Sequence, residues 1–134
     1  MEIRKKDLEF GIKKEIELLE TFKNFFNCNE LLMTDKNYPF DYINNKLQIE
    51  LKSRNNSYSK YPSTMIGKNK IEFANKNKKE TYFCFNFTDG VYYIKYDKEK
   101  FDLYEEKIGG RQDRGKFEYK PYIYIPICEL QPIK

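Results

Sequence analysis

The chain has 134 residues and a mass of 16.3 kDa, which suits one compact domain spanning residues 1–134. It is 40% hydrophobic and 34% charged, with 11 Phe and 12 Tyr, so it can bury a sizeable core, which argues against wholesale disorder. Its 0 histidines exclude Ser-His-Asp and Cys-His catalysis and any His-containing metal site, and its net charge of +4 is too small to name a partner by itself.

Cys28, Cys84 and Cys128 form no C-x-x-C pair, which excludes a zinc knuckle and predicts buried free thiols in a reducing compartment. No apolar run is long enough to cross a membrane as a helix. Met1 to Lys6 is charged and no signal-like apolar segment follows it. The expectation is a soluble intracellular protein with no membrane partner.

Arg4 to Asn27 reads as an amphipathic helix, with Leu8, Ile12, Ile16, Leu19, Phe22 and Phe26 on one stripe. Leu31 to Tyr38 is a connection. Tyr38 to Ile43 and Leu47 to Arg54 read as strands around an Asn44-Asn45 turn. Asn55 to Ser63 is a polar loop. Thr64 caps a second helix over Met65 to Lys78, weakened by Gly67. Thr81 to Thr88 and Val91 to Asp97 form a hairpin across Asp89-Gly90. Lys98 to Ile108 suggests a short helix, and Gly109 to Gly115 a flexible loop. Tyr119 to Ile127 is a last strand, placed at a sheet edge by Pro121 and Pro126. The pattern predicts an α/β domain built on a small mixed sheet flanked by helices.

Charge is unevenly spread. Lys52 to Glu80 carries +6, and the rest of the chain sums to −2. Such a basic stripe suits a nucleic-acid backbone, although a solvated Lys-rich face has the same composition. Tyr58 and Tyr61 lie within the stripe and could stack on bases or pack internally.

Four residues stand out. In Leu47 to Lys52 the apolar Leu47, Ile49 and Leu51 share one face, and Glu50 and Lys52 share the other. A two-residue Asn44-Asn45 turn pairs Asp41 with Gln48, one diagonal step from Glu50, about 7 Å between backbones. Two carboxylates and a lysine on one face can hold a hard divalent cation and assist attack on a phosphate. A surface Glu/Lys pair is the plainer alternative. On the first helix, Glu15 falls within roughly 40° of the centre of the apolar stripe. A carboxylate there needs a partner or a metal, unless it lies at the end of the core beside a lysine.

Asp41 followed by Glu50-Leu51-Lys52 resembles the PD-(D/E)XK nuclease signature, with Pro39 separated from Asp41 by Phe40. Gly11 to Glu15 at the start of an apolar helix, Ser53-Arg54, and Ile71 to Ala74 resemble archaeal Holliday-junction resolvases. That similarity runs from about Gly11 to Tyr96. It implies a restriction endonuclease-like core and a DNA endonuclease using Mg²⁺ or Mn²⁺. By the resemblance, Asp41, Glu50 and the Leu51 carbonyl hold the metal, Glu15 binds it directly or through water, and Lys52 assists the nucleophile. A further polar residue on the second helix is implied, with Lys68 and Lys70 as candidates. A homodimer is implied for symmetric cutting of two strands.

Arg54, Lys60, Lys68, Lys70, Arg111 and Arg114 are the candidate DNA-backbone contacts. Gly110 to Lys116 matches a partial Walker A motif, but Phe117 stands where Ser or Thr is required and a strand follows, so a P-loop is rejected. The alternatives to an enzyme are a non-catalytic nucleic-acid-binding module on the same fold and a protein-interaction domain with a Tyr-rich surface.

Overall fold

The computed structural model describes residues 2–111 and 118–133, with side chains over 12–109 and 120–133. The chain runs α1 (Glu2–Phe25), β1 (Leu32–Met33), β2 (Tyr42–Ile43), β3 (Leu47–Ser53), β4 (Ser63–Gly67), α2 (Lys68–Asn77), β5 (Glu80–Phe87) and β6 (Gly90–Lys95). Then follow α3 (Lys98–Phe101), β7 (Glu105–Arg111), β8 (Glu118–Pro126), a 3₁₀ turn (Ile127–Glu129) and β9 (Gln131–Pro132). Among the described residues the strands form a six-stranded sheet, β1-β2-β3-β5-β6-β9, and a three-stranded sheet, β4-β8-β7. The β3–β5 pair is parallel, and the other pairs of the large sheet are antiparallel. This is the mixed α/β architecture that the pattern predicts.

The large sheet is covered on both faces. On one side Phe22 of α1 packs with Tyr42, Leu47, Ile49, Leu51 and Cys84. On the other, Ile71 and Ala74 of α2 join Phe83, Phe85 and Phe87 of β5 and Ile123 and Ile125 of the small sheet. β3 is central in this sandwich, so both of its faces are buried from Leu47 to Leu51. A parallel neighbour and two covered faces leave its polar residues to find partners inside. Gln48 does so completely. Its amide accepts from Tyr38 Oη and Asn77 Nδ2 at 3.0 and 2.8 Å, and donates to Asn77 Oδ1 and Thr81 Oγ1 at 3.0 and 2.9 Å. These bonds fix the end of α2 to the sheet.

Several expectations change. Among the described side chains, which leave out Leu8, the apolar stripe of α1 is buried only towards its C-terminal end, where Phe22 is wholly enclosed, whereas Ile12 and Ile16 are 52% and 59% exposed. A 24-residue helix is about 36 Å long and outruns the sheet it packs on. The hairpin between β2 and β3 turns at Asn45-Lys46: Asn44 N–H donates to the Leu47 carbonyl at 3.0 Å, and Asn44 Oδ1 accepts from the Lys46 and Leu47 amides. Ile43 therefore pairs with Gln48 rather than Lys46. The slip is two residues, so the faces are preserved.

Thr64 is not a helix cap but the second residue of β4, and α2 starts after Gly67, which gives no side-chain cap. Pairing of β4 with β8, some 60 residues away in the chain, decides this segment. Gly109 to Arg111 belong to β7 rather than to a loop, and Gly109 lies so close to Tyr122 that a Cβ there would meet its ring at 2.9 Å. β8 is the middle strand of its sheet rather than an edge, but its prolines sit where it has one neighbour only. Pro121 pairs with Ile108 past the last residue of β4, and Pro126 pairs with Ser63 beyond the first residue of β7. Cys28 and Cys84 are buried free thiols, but Cys128 is exposed. Among the described residues no helix is long and apolar enough to cross a membrane.

Replacing Gln48 with Leu leaves Tyr38, Asn77 and Thr81 without their shared partner. The expected cost is about 2–3 kcal/mol of stability, read as a lowered denaturant midpoint with an unchanged slope.

Candidate active site

The site is built on β3 and the strand beside it. Asp41 and Tyr42 together face Ile49: Tyr42 is its ladder partner, and the Asp41 N–H also donates to the Ile49 carbonyl at 2.9 Å. Two residues opposite one is the arrangement of a β-bulge, which re-aims a side chain out of strict alternation. The Asp41 carboxylate consequently caps the ladder itself, with Oδ2 accepting from the Leu51 N–H at 2.7 Å. It also lies within hydrogen-bonding range of the carboxyls of both Glu50 and Glu15. The approach of Asp41 to Glu50 expected across the hairpin is thus made through a bulge rather than a regular diagonal.

Glu15 arrives from α1. It sits where the helix leaves the core, and Tyr42 Oη fixes that point by donating to the Glu15 main-chain carbonyl at 2.6 Å. Tyr42 is fully buried, and Phe22 packs edge-on against its ring at 5.2 Å. The carboxyl of Glu15 meets Asp41 and feels Glu50 and Lys52 only at longer range. The three carboxyls therefore form a chain, Glu15–Asp41–Glu50. Among the described residues no three such groups enclose a single point.

Two ammonium groups flank the far end of that chain. Lys52 Nζ lies 3.5 Å and Lys70 Nζ 3.2 Å from Glu50 Oε2. Neither contact has hydrogen-bond geometry, and Glu50 Oε2 is buried without a hydrogen-bond partner. Lys70 instead donates to the Pro39 carbonyl and lies over the Phe40 ring. Burial, opposed by Lys52 and reinforced by Asp41, pushes the Glu50 carboxyl up to about 7. Burial likewise raises Asp41, despite the bonds from Glu50 and Leu51, and raises Glu15.

This arrangement fits a divalent cation. The donors are hard carboxylate oxygens, and Glu50 Oε2 is buried and accepts no hydrogen bond although the Lys52 and Lys70 ammonium groups lie 3.5 and 3.2 Å from it.

The candidate backbone contacts are scattered. Lys60 is exposed, with its ammonium over the Tyr61 ring. Lys68 pairs with Glu106 of β7 at 2.8 Å. Lys70 turns into the carboxylate site. Arg54 is partly buried and donates to the Met65 carbonyl at 2.8 Å. Arg111 ends β7, and Arg114 lies outside the described residues. Lys70 is a candidate by sequence, and the structure brings it closer to Glu50 than Lys52. Tyr42 falls on the apolar face by alternation, and Gln48 on the polar face with Glu50, so the pattern shows neither the bond of Tyr42 to α1 nor the burial of Gln48.

Compared with known protein families, residues 7–133 match the family described as "Phage putative PDDEXK endonuclease". The chain belongs to that PD-(D/E)XK family. The membership supports nuclease activity and a nucleic-acid substrate at the level of class. A comparison with curated proteins finds no match.

For this PD-(D/E)XK chain the raised carboxyls have a measurable consequence. Glu50 ionises near 4.5 when unfolded and near 7 when folded. Below about 4.5 both states hold the proton. Between these values only the unfolded state releases it, so stability falls with rising pH, by about 3 kcal/mol in all before levelling off. In chelator, wild type should therefore melt at a higher temperature at pH 5 than at pH 8. Glu50→Gln should flatten that slope and melt above wild type at pH 8. An equal slope in the variant would assign the effect elsewhere.

Proposed function

We propose that the protein is a metal-dependent DNA endonuclease whose site is Asp41, Glu50, the Leu51 carbonyl, Glu15 and Lys52. The observation that carries the reading is the buried Glu50 carboxyl, held against Asp41 with one oxygen unbonded and two lysines beside it. Ionisable groups perturbed by burial beside specific charge partners cluster at functional sites.

Asp41, Glu50 and the Leu51 carbonyl would hold Mg²⁺ or Mn²⁺, and Glu15 would act through a water beside Asp41. The metal, when bound, would acidify water and offset charge on the scissile phosphate. The chain's own groups do the rest. The bulge holds Asp41 in place through the Leu51 N–H. Lys52 is 39% exposed at its side chain, whereas Glu50 is 3% exposed, so its ammonium can reach an incoming phosphate from the buried carboxylate. There it would stabilise negative charge on the non-bridging oxygens as water adds to phosphorus and the bridging P–O bond breaks. Lys70 would neutralise Glu50 from inside and keep it placed.

A cleavage panel of linear, branched and single-stranded DNAs with RNA controls tests this. Wild type should cut at least one DNA with Mg²⁺ or Mn²⁺ and none in chelator. Asp41→Asn, which keeps an oxygen for the Leu51 N–H, should lose at least about 100-fold, and Lys52→Ala a similar factor. Independently of activity, Mn²⁺ at pH 8 should raise the melting temperature of wild type and of Lys52→Ala but not of Asp41→Asn. Binding of DNA that is unchanged by chelator, without cleavage, would instead mark a non-catalytic module.

A further inference from the structure

Beyond the end of β3 the row Gln48, Glu50, Lys52 continues to Arg54, and there a cleft of about 380 Å³ opens between β5 of the large sheet and β4 and β8 of the small one. Its size falls in the range of small-molecule sites. Tyr58, Tyr61, Pro62, Phe87 and Tyr124 make its walls largely aromatic. Arg54, Asn56 and Ser63 add polar atoms, and among the described residues no Asp or Glu lines it.

The cleft is held open by long-range bonds. The Tyr58 N–H donates to Asp89 Oδ1 and its Oη to the Ile127 carbonyl, both at 2.9 Å, while its ring stacks on Tyr92 at 4.1 Å. Thr88 N–H donates to the Asn56 carbonyl at 3.1 Å and Ile127 N–H to the Pro62 carbonyl at 3.0 Å. The loop is thus pre-organised, which lowers the ordering cost of binding. Tyr61 at its rim is 53% exposed, with the Lys60 ammonium 5.5 Å from its ring centre.

We propose that this cleft receives an unstacked nucleobase from the strand whose phosphate lies at the carboxylates. The inference rests on the nuclease reading and narrows its substrate to nucleic acid with an unpaired nucleotide near the cut. Four residues of β-strand separate Glu50 from Arg54, about 13 Å, so one strand can span both sites. Aromatic walls accept any base face, the Lys60 and Arg54 charges suit its phosphates, and Asn56 and Ser63 can meet its edge. A paired base would first have to leave its stack, at a cost of a few kcal/mol, which selects for unpaired substrate.

The test is binding in chelator, so that no cleavage intervenes. A labelled oligodeoxynucleotide is offered single-stranded and as duplex to wild type, Tyr61→Ala and Tyr61→Phe. Wild type should prefer the single strand. Tyr61→Ala should weaken that binding about 10-fold, Tyr61→Phe should restore it, and duplex affinity should stay the same in all three. As a readout independent of any variant's folding, 2-aminopurine in the single strand should change fluorescence on binding wild type. Equal affinity for both forms, a Tyr61→Ala affinity equal to wild type, no 2-aminopurine change, or no binding would each overturn the proposal. Base binding that behaves as expected in a protein that never cleaves would leave the cleft standing and remove the nuclease reading alone.

Discussion

Glu50 occupies a strand with neighbours on both sides and packed layers on both faces, so its carboxyl is almost wholly withdrawn from water. The consequences spread outward from that placement. Its charge is resisted by burial and drawn out by two ammonium groups, and one of its oxygens lacks a hydrogen bond. Two residues earlier on the same strand, Gln48 is equally buried yet satisfies every polar atom. The contrast separates two uses of a buried polar group. Gln48 fastens α2 to the sheet, and Glu50 keeps one buried oxygen without a hydrogen bond beside two ammonium groups.

The geometry around Glu50 depends on a local break in a regular ladder. The bulge at Asp41 turns a strand-end carboxylate into the acceptor for the Leu51 amide, which places it between a helix residue from one face and a strand residue from the other. Tyr42 is the complementary device. It carries no chemistry in the proposed site, but its hydroxyl holds the Glu15 backbone where α1 leaves the core. The functional residues thus sit at the margin of two regular elements, where packing is strong enough to hold them and loose enough to leave them approachable.

The second sheet gives the site its surroundings. β4 and β8 close the open side of the large sheet and, with β5, form the aromatic cleft beyond Arg54. The carboxylates and the cleft lie along one strand row, so a substrate strand following β3 would meet charge first and aromatic surface next.

Much of this was legible in the residues. The alternation of Leu47 to Lys52 showed which side chains share a face, the Asp41 and Glu50-Leu51-Lys52 spacing pointed to the family, and the α1 periodicity placed Glu15 near the core. These signals are local, and periodicity survives a two-residue slip in register because the strand repeat is two. What the residues could not show depends on contacts distant in sequence. Thr64 to Gly67 reads as the start of a helix until β8 pairs with it. Ile12 and Ile16 read as core because periodicity does not reveal where the sheet beneath a helix ends. Lys70 reads as one more basic residue of the stripe until α2 docks and turns its ammonium onto Glu50. The sequence alone determined which residues could do the chemistry, because chemistry resides in side-chain type and short spacing. Only the tertiary structure decided which of them meet, because burial, bulges and charge pairing are set by segments that come together after the chain has folded.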